Sequence, residues 1–68
     1  MHRFYVPDID ATRQIIPLRG SIARQIRNVL RIEVGKRVRL FNGAGSEWEA
    51  EISTVGKNEI STTLISTI

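Results

Sequence analysis

The residues best placed to do chemistry are arginines, and they are crowded into one segment. Between Arg19 and Arg39 stand Arg19, Arg24, Arg27, Arg31, Lys36, Arg37 and Arg39 against a single acid, Glu33. That segment carries +6, while the rest of the chain, three bases against six acids, carries −3. A one-sided excess of this kind attracts a polyanion without by itself reading its sequence. A planar guanidinium can fork onto a phosphate and stack on a base, so the expected chemistry is recognition of nucleic acid. Arg24, Arg27 and Arg31 are spaced i, i+3, i+7, which on a helix lines them along one stripe. Arg31 suits the negative end of the helix dipole; Arg24, in the predicted first turn, does not, and so points to an outside partner.

Bond-making chemistry is much harder to assemble. The one histidine, His2, stands beside the chain start, where fraying is normal. There is no cysteine, which excludes disulfides, thiolate metal sites and a cysteine nucleophile. Glu47, Glu49 and Glu51 alternate with apolar residues and read as the exposed face of a strand. Gly43 and Gly45 precede no helix, so they read as a hairpin loop and not as a phosphate-binding fingerprint. The expected catalytic and metal-ligand sets are therefore empty.

Those arginines need a scaffold, and the chain supplies short strands. His2–Val6 reads as a first strand stopped by Pro7 and the turn Asp8-Ile9-Asp10. Gln14–Ile16 reads as an edge strand ending at Pro17. Ser21 is a plausible N-cap, after which Ile22, Ile26, Val29 and Leu30 form the apolar face of an amphipathic helix ending near Arg31 or Ile32. Gly35 serves a tight turn. Arg37–Phe41 and Glu47–Ile52 then alternate with period two around the loop 42–46. After a turn at Gly56-Lys57-Asn58, Glu59–Ile68 is rich in Ile and Thr and reads as a last strand.

The register of the central hairpin follows from its two faces. Val38 and Leu40 share a face with Ala50 and Trp48, since a slip of one residue would expose them. Pairing Leu40 with Trp48 and Val38 with Ala50 sets Arg39 opposite Glu49 and Arg37 opposite Glu51, which assigns these two arginines a mostly structural role. Trp48 and Phe4 are expected in the core. Arg3 and Tyr5 share the opposite face of the first strand and could form a small RNA-facing pair, since exposed aromatics beside bases are a common reader of single-stranded RNA.

Sixty-eight residues allow one domain, 1–68, with a marginal core. No apolar run reaches the roughly 18 residues of a membrane span, and the N-terminus lacks the apolar stretch of a secretory signal, so a cytoplasmic location and no membrane partner are expected. The fold class expected is mainly β: a small, partly closed barrel of five strands with one amphipathic helix plugging an end.

The ordered set Arg3-Phe4-Tyr5-Val6, Val29-Leu30-Arg31, Val34-Gly35, Leu40-Phe41-Asn42-Gly43-Ala44-Gly45 and Glu47-Trp48-Glu49-Ala50-Glu51-Ile52 resembles the N-terminal PUA-like domain of the bacterial small-subunit ribosomal RNA uridine-N3 methyltransferase family. The resemblance spans nearly the whole chain. It implies a parent enzyme in which this barrel grips ribosomal RNA, while a C-terminal knotted domain, no part of which is present, binds S-adenosylmethionine and forms a homodimer. The chain itself is then expected to need no cofactor and to carry no catalysis. By motif, Arg3 and Arg31 fall on the family's recurring arginines, and Gly35, Gly43 and Gly45 on its turn glycines. Gln25 stands where the family commonly has a histidine, and could replace only that residue's hydrogen bond.

Two other readings fit the residues: a stand-alone ribosome-associated RNA-binding barrel, and an interaction module that pairs a barrel edge with a protein partner. The expected RNA-contacting residues are Arg3, Tyr5, Arg24, Arg27 and Arg31.

Overall fold

The two alternating segments at the centre of the chain form the spine of the sheet. In the computed structural model, which describes residues 1–68, they are β3 (Arg37–Phe41) and β4 (Glu47–Val55). Leu40 pairs with Trp48, Val38 with Ala50, Arg39 with Glu49 and Arg37 with Glu51, the register that the hydrophobic pattern requires. Around this hairpin lie β1 (Arg3–Tyr5), parallel to β3, then β5 (Glu59–Thr67) against β4, and β2 (Ile15–Arg19) against β5. The sheet order is β1-β3-β4-β5-β2, so β1 and β2 are its edges.

The sheet is curled into a half-barrel. Two register shifts in the β4–β5 pairing, at Glu49/Ala50 and at Ile52/Thr54, insert one extra residue on β5 and then one on β4, which increases the local twist. The concave face gathers Phe4, Val6, Ile16, Leu18, Val38, Leu40, Ala50, Ile52 and Ile60, with Ala23 and Ile26 supplied by the helix. One polar side chain is fully buried among them. Thr62 donates its hydroxyl proton to the Ile16 carbonyl oxygen at 2.9 Å, so the group is satisfied and ties β5 to edge strand β2.

Three expectations change. The strand expected to stop at Pro17 runs through it to Arg19, which an edge position permits because one side of the strand needs no ladder donor. Trp48, expected in the core, is only half-buried; its β5 partner is Thr67, where that strand ends. The helix differs most. Its α-helical part, α1 (Gly20–Arg24), starts one residue before Ser21, and Arg19 is the N-cap with no side-chain cap bond. It continues as a π-helical segment, Gln25–Leu30.

The wider π turn explains the exposure of Val29. With i→i+5 hydrogen bonding, each residue rotates less about the axis than in an α-helix. Val29, three residues beyond fully buried Ile26, therefore swings away from the core and is 72% exposed, while Leu30 stays packed against it. The segment ends as Arg31 takes the left-handed conformation (φ 53°, ψ 46°), and the amides of Arg31 and Ile32 both donate to the Ile26 carbonyl.

Candidate nucleic-acid interface

The ten bases divide by whether a carboxylate answers them. Arg3 binds Glu47 at 2.9 Å, Arg37 binds Glu49 at 2.6 Å and Glu51 at 3.5 Å, and Arg39 reaches Glu47 at 3.5 Å. Arg13 lies 3.8 Å from Asp10, and Arg19 pairs with Glu59 across the β2–β5 edge. No carboxylate lies within ion-pairing distance of Arg24, Arg27, Arg31, Lys36 or Lys57. All five sit on the helix, on the loop that follows it, or on the β4–β5 turn.

The hairpin explains the first group. Pleating sends Arg37 and Arg39 to the same face as Glu47, Glu49 and Glu51, and the side chains lean diagonally, so Arg37 takes Glu49 and Arg39 takes Glu47. β1 then lays Arg3 directly beside Arg39, and the Glu47 carboxylate lies between the two cations. Hydrogen bonding from Arg3, with further attraction from Arg39, holds the Glu47 carboxyl below its usual range despite some desolvation. The Glu49 hydrogen bond raises the pKa of Arg37 in return.

Arg3 and Tyr5 both flank Phe41. The Arg3 guanidinium carbon lies 4.5 Å from the Phe41 ring centroid, and the Tyr5 and Phe41 rings are 5.5 Å apart and tilted by 36°. Tyr5 remains 52% exposed, so one face of this aromatic pair is open. Gly43 makes room for it: with φ at 76°, a Cβ there would stand 2.8 Å from the Tyr5 ring. Asn42 closes the loop by accepting the amide protons of Ala44 (2.9 Å) and Ser46 (3.2 Å) on its side-chain oxygen.

The second group lines three concavities that share walls. Arg24 and Arg27 line the first with Gly20, Asn28, Lys57 and Asn58. Arg27 and Arg31 line the second, beside Ile32, Glu33, Val34 and Val55. Arg31 continues into the third with His2, Lys36 and Arg37. The basic track thus runs from the β4–β5 turn along the helix to the start of β3. Arg27 is held in place by its own donor bond to the Lys57 carbonyl, 2.7 Å long. The N-terminal shift of the helix sets Arg24 fifth along it, outside the first turn, which removes the dipole penalty that the sequence implied.

The sequence-predicted residues therefore fall in two places. Arg24, Arg27 and Arg31 share the helix track, whereas Arg3 and Tyr5 lie toward the far end of β3, beside Phe41 and the 42–46 loop. Lys57 and Asn58 escaped the sequence reading, because a turn between strands gives no periodic signal. One clue does exist in the sequence: Lys57 is the only base in the acidic C-terminal third. No cluster of three metal-ligating side chains occurs, and no helix is long and apolar enough to cross a membrane.

Residues 18–65 match the family model described as the RNA methyltransferase PUA domain. Among solved structures, the chain is similar to a ribosomal RNA small subunit methyltransferase E from Neisseria gonorrhoeae bound to S-adenosylmethionine, with 28% identity and a TM-score of 0.89 over 100% of this chain. A Legionella pneumophila protein described as a methyltransferase, solved with the same cofactor, gives 30% identity and a TM-score of 0.87 over 97%. A Porphyromonas gingivalis protein described as an rRNA-methyltransferase gives 31% and 0.84 over 100%. The chain spans 28%, 27% and 27% of those three proteins. No curated protein sequence is significantly similar.

Proposed function

Because the chain belongs to the RNA methyltransferase PUA domain family, we propose that it is the RNA-holding domain of a cytoplasmic enzyme that methylates a uridine of small-subunit ribosomal RNA at N3. The observation that carries this reading is the gathering of all five carboxylate-free bases on one continuous side of the domain. In this reading Arg24, Arg27 and Arg31 hold the phosphate backbone, and Tyr5, over Phe41 and beside Arg3, offers a face to an unpaired base.

The domain positions RNA and leaves methyl transfer to the rest of the parent enzyme, a homodimer. Two of the solved relatives hold S-adenosylmethionine, which in the parent is bound outside this domain. The basic track does not fit that cofactor, since a row of arginines repels its sulfonium cation. That excess of positive charge suits phosphate.

The test is binding of the 68-residue chain to a small-subunit ribosomal RNA hairpin at low and moderate salt, beside the Arg27→Ala, Arg31→Ala double variant. A steep salt dependence, with clear loss in a still-folded variant, is the expected result, because each neutralised phosphate releases condensed counterions. Unaltered affinity in the double variant would overturn the assignment of the helix track. For the parent enzyme, digestion of methylated small-subunit RNA should yield 3-methyluridine, and a different modified nucleoside would refute the proposed reaction.

A further inference from the structure

The concavity between the helix and the β4–β5 turn is more than an extension of a basic face. Its cations come from two elements far apart in sequence: Arg24 and Arg27 from the helix, Lys57 from the turn. Asn28 and Asn58 add amide groups, one from each side, and only one of the seven lining residues is hydrophobic. Three cations and two amides around one opening make a poor docking site for an apolar group and a good one for an oxyanion.

The two walls are fixed relative to each other. The Arg27 guanidinium donates to the Lys57 main-chain carbonyl at 2.7 Å, which bridges the helix to the turn. The turn is itself tight: the Gly56 amide donates to the Glu59 carbonyl at 2.8 Å, and a Cβ on Gly56 would stand 2.8 Å from that same oxygen. Only glycine fits this close approach. A carbonyl beside the opening would repel an anion, but Arg27 occupies it and leaves its remaining N–H groups free. The Lys57 and Arg24 side chains make no hydrogen bond or ion pair within the domain, so both cations are free to meet an anion.

We propose that the Gly56-Lys57-Asn58 turn is the second jaw of a phosphodiester clamp, in which Lys57 and Arg24 grip one RNA phosphate while Arg27 holds the jaws together. The clamp rests on the reading of the domain as an RNA holder and adds the residues that close on the backbone at the helix start. It marks one end of the track, with Arg31 and Lys36 carrying the strand toward β3.

The experiment uses the 68-residue chain and a labelled RNA hairpin with a uridine-rich loop, titrated across a range of salt with wild type, Lys57→Ala, Lys57→Arg, Arg24→Ala, Arg31→Ala and the Arg24→Ala, Lys57→Ala pair. Lys57→Ala leaves the carbonyl that Arg27 uses, so the turn stays attached. It is expected to weaken binding several-fold and to lower the slope of log affinity against log salt by about 0.7 to 1. Lys57→Arg is expected to keep both affinity and slope. The double variant is expected to lose less than the two single losses combined, as residues sharing one phosphate do. If Arg31→Ala weakens binding while Lys57→Ala changes neither affinity nor slope, the turn is no part of the interface and the clamp alone falls. If wild type itself binds no RNA at low salt, the RNA-holding reading falls and takes the clamp with it. Strictly additive losses would place Arg24 and Lys57 on different phosphates and also overturn the clamp.

Discussion

The hairpin face carries three bases and the helix–turn side five, and the two put them to different uses. On the hairpin, strand alternation places Arg37 and Arg39 on the face that β4 fills with Glu47, Glu49 and Glu51, and β1 adds Arg3 to the same set. Along the helix no acid occurs between Arg19 and Ile32, so Arg24, Arg27 and Arg31 meet no carboxylate. The difference teaches that base density alone does not mark an anion site. What marks it is whether the fold brings acids of its own to the same face. Surface ion pairs contribute little to stability, yet each paired arginine is largely neutralised as an RNA contact.

The strongest way to break this comparison is to delete both groups in turn. Arg24→Ala with Arg27→Ala and Arg31→Ala should cost on the order of a thousandfold in RNA affinity, at about 1.5 kcal/mol for each charge-assisted hydrogen bond removed. Circular dichroism should show the variant still folded, since all three side chains are exposed. Arg3→Ala with Arg37→Ala and Arg39→Ala should lower the melting temperature and change affinity far less. Equal losses of affinity from the two triples would erase the distinction.

A gentler test converts one region toward the other. Glu49→Gln with Glu51→Gln leaves Arg37 without its carboxylates. RNA affinity should then rise a few-fold, and the salt slope should steepen by about 0.7 to 0.9 as a further cation becomes free to meet phosphate. An unchanged slope in a filter-binding or anisotropy titration would show that the hairpin face lies out of reach of the bound strand.

Acid offers a third handle, because of the two regions it is the hairpin whose bases are paired with carboxylates. Glu47 has its pKa lowered by Arg3, so its contribution is present above the ordinary glutamate value of 4.5 and is lost as pH falls below it through the depressed folded value. Thermal denaturation between about pH 6 and more acidic conditions should therefore show falling stability as Arg3 and Arg39 lose the charge between them. Glu47→Gln should be less stable at neutral pH and flatter across that window. A variant as acid-sensitive as wild type would mean that another carboxylate governs the transition, Asp10 being the next candidate, since hydrogen bonds from Thr12 lower its pKa as well.

The sequence was most legible where two constraints agreed. The β3–β4 register was readable because apolar residues on one face and opposite charges on the other select the same pairing. The helix arginines were legible as a group, since a bias of seven bases against one acid survives any local geometry. The π-helical segment was not, because hydrophobic spacing was read with the α-helical period, which put Val29 inside. Trp48 was misplaced for a related reason: alternation gives the face of a strand, but not where the covering strand runs out. Lys57 joins the helix only through the tertiary bond from Arg27, thirty positions away, which no local pattern encodes.

The smallest expected effect is also the most discriminating, and it concerns Arg31. It is the one non-glycine residue with positive φ, at 53°, where the π-helical segment turns off. Helices commonly end on a left-handed residue, and glycine is the usual choice because a Cβ is disfavoured there. The Arg31 side chain makes no hydrogen bond or ion pair within the domain, so it returns nothing to the fold for that backbone cost. Arg31→Gly should therefore leave the domain as stable as wild type or stabilise it by a few tenths to about 1 kcal/mol. The same change should weaken RNA binding and lower the salt slope, because the track loses the cation common to two of its concavities. A purely structural role would lower both stability and affinity. Stability held or gained while affinity falls is the pattern left when a residue is kept for its partner at the expense of its own backbone.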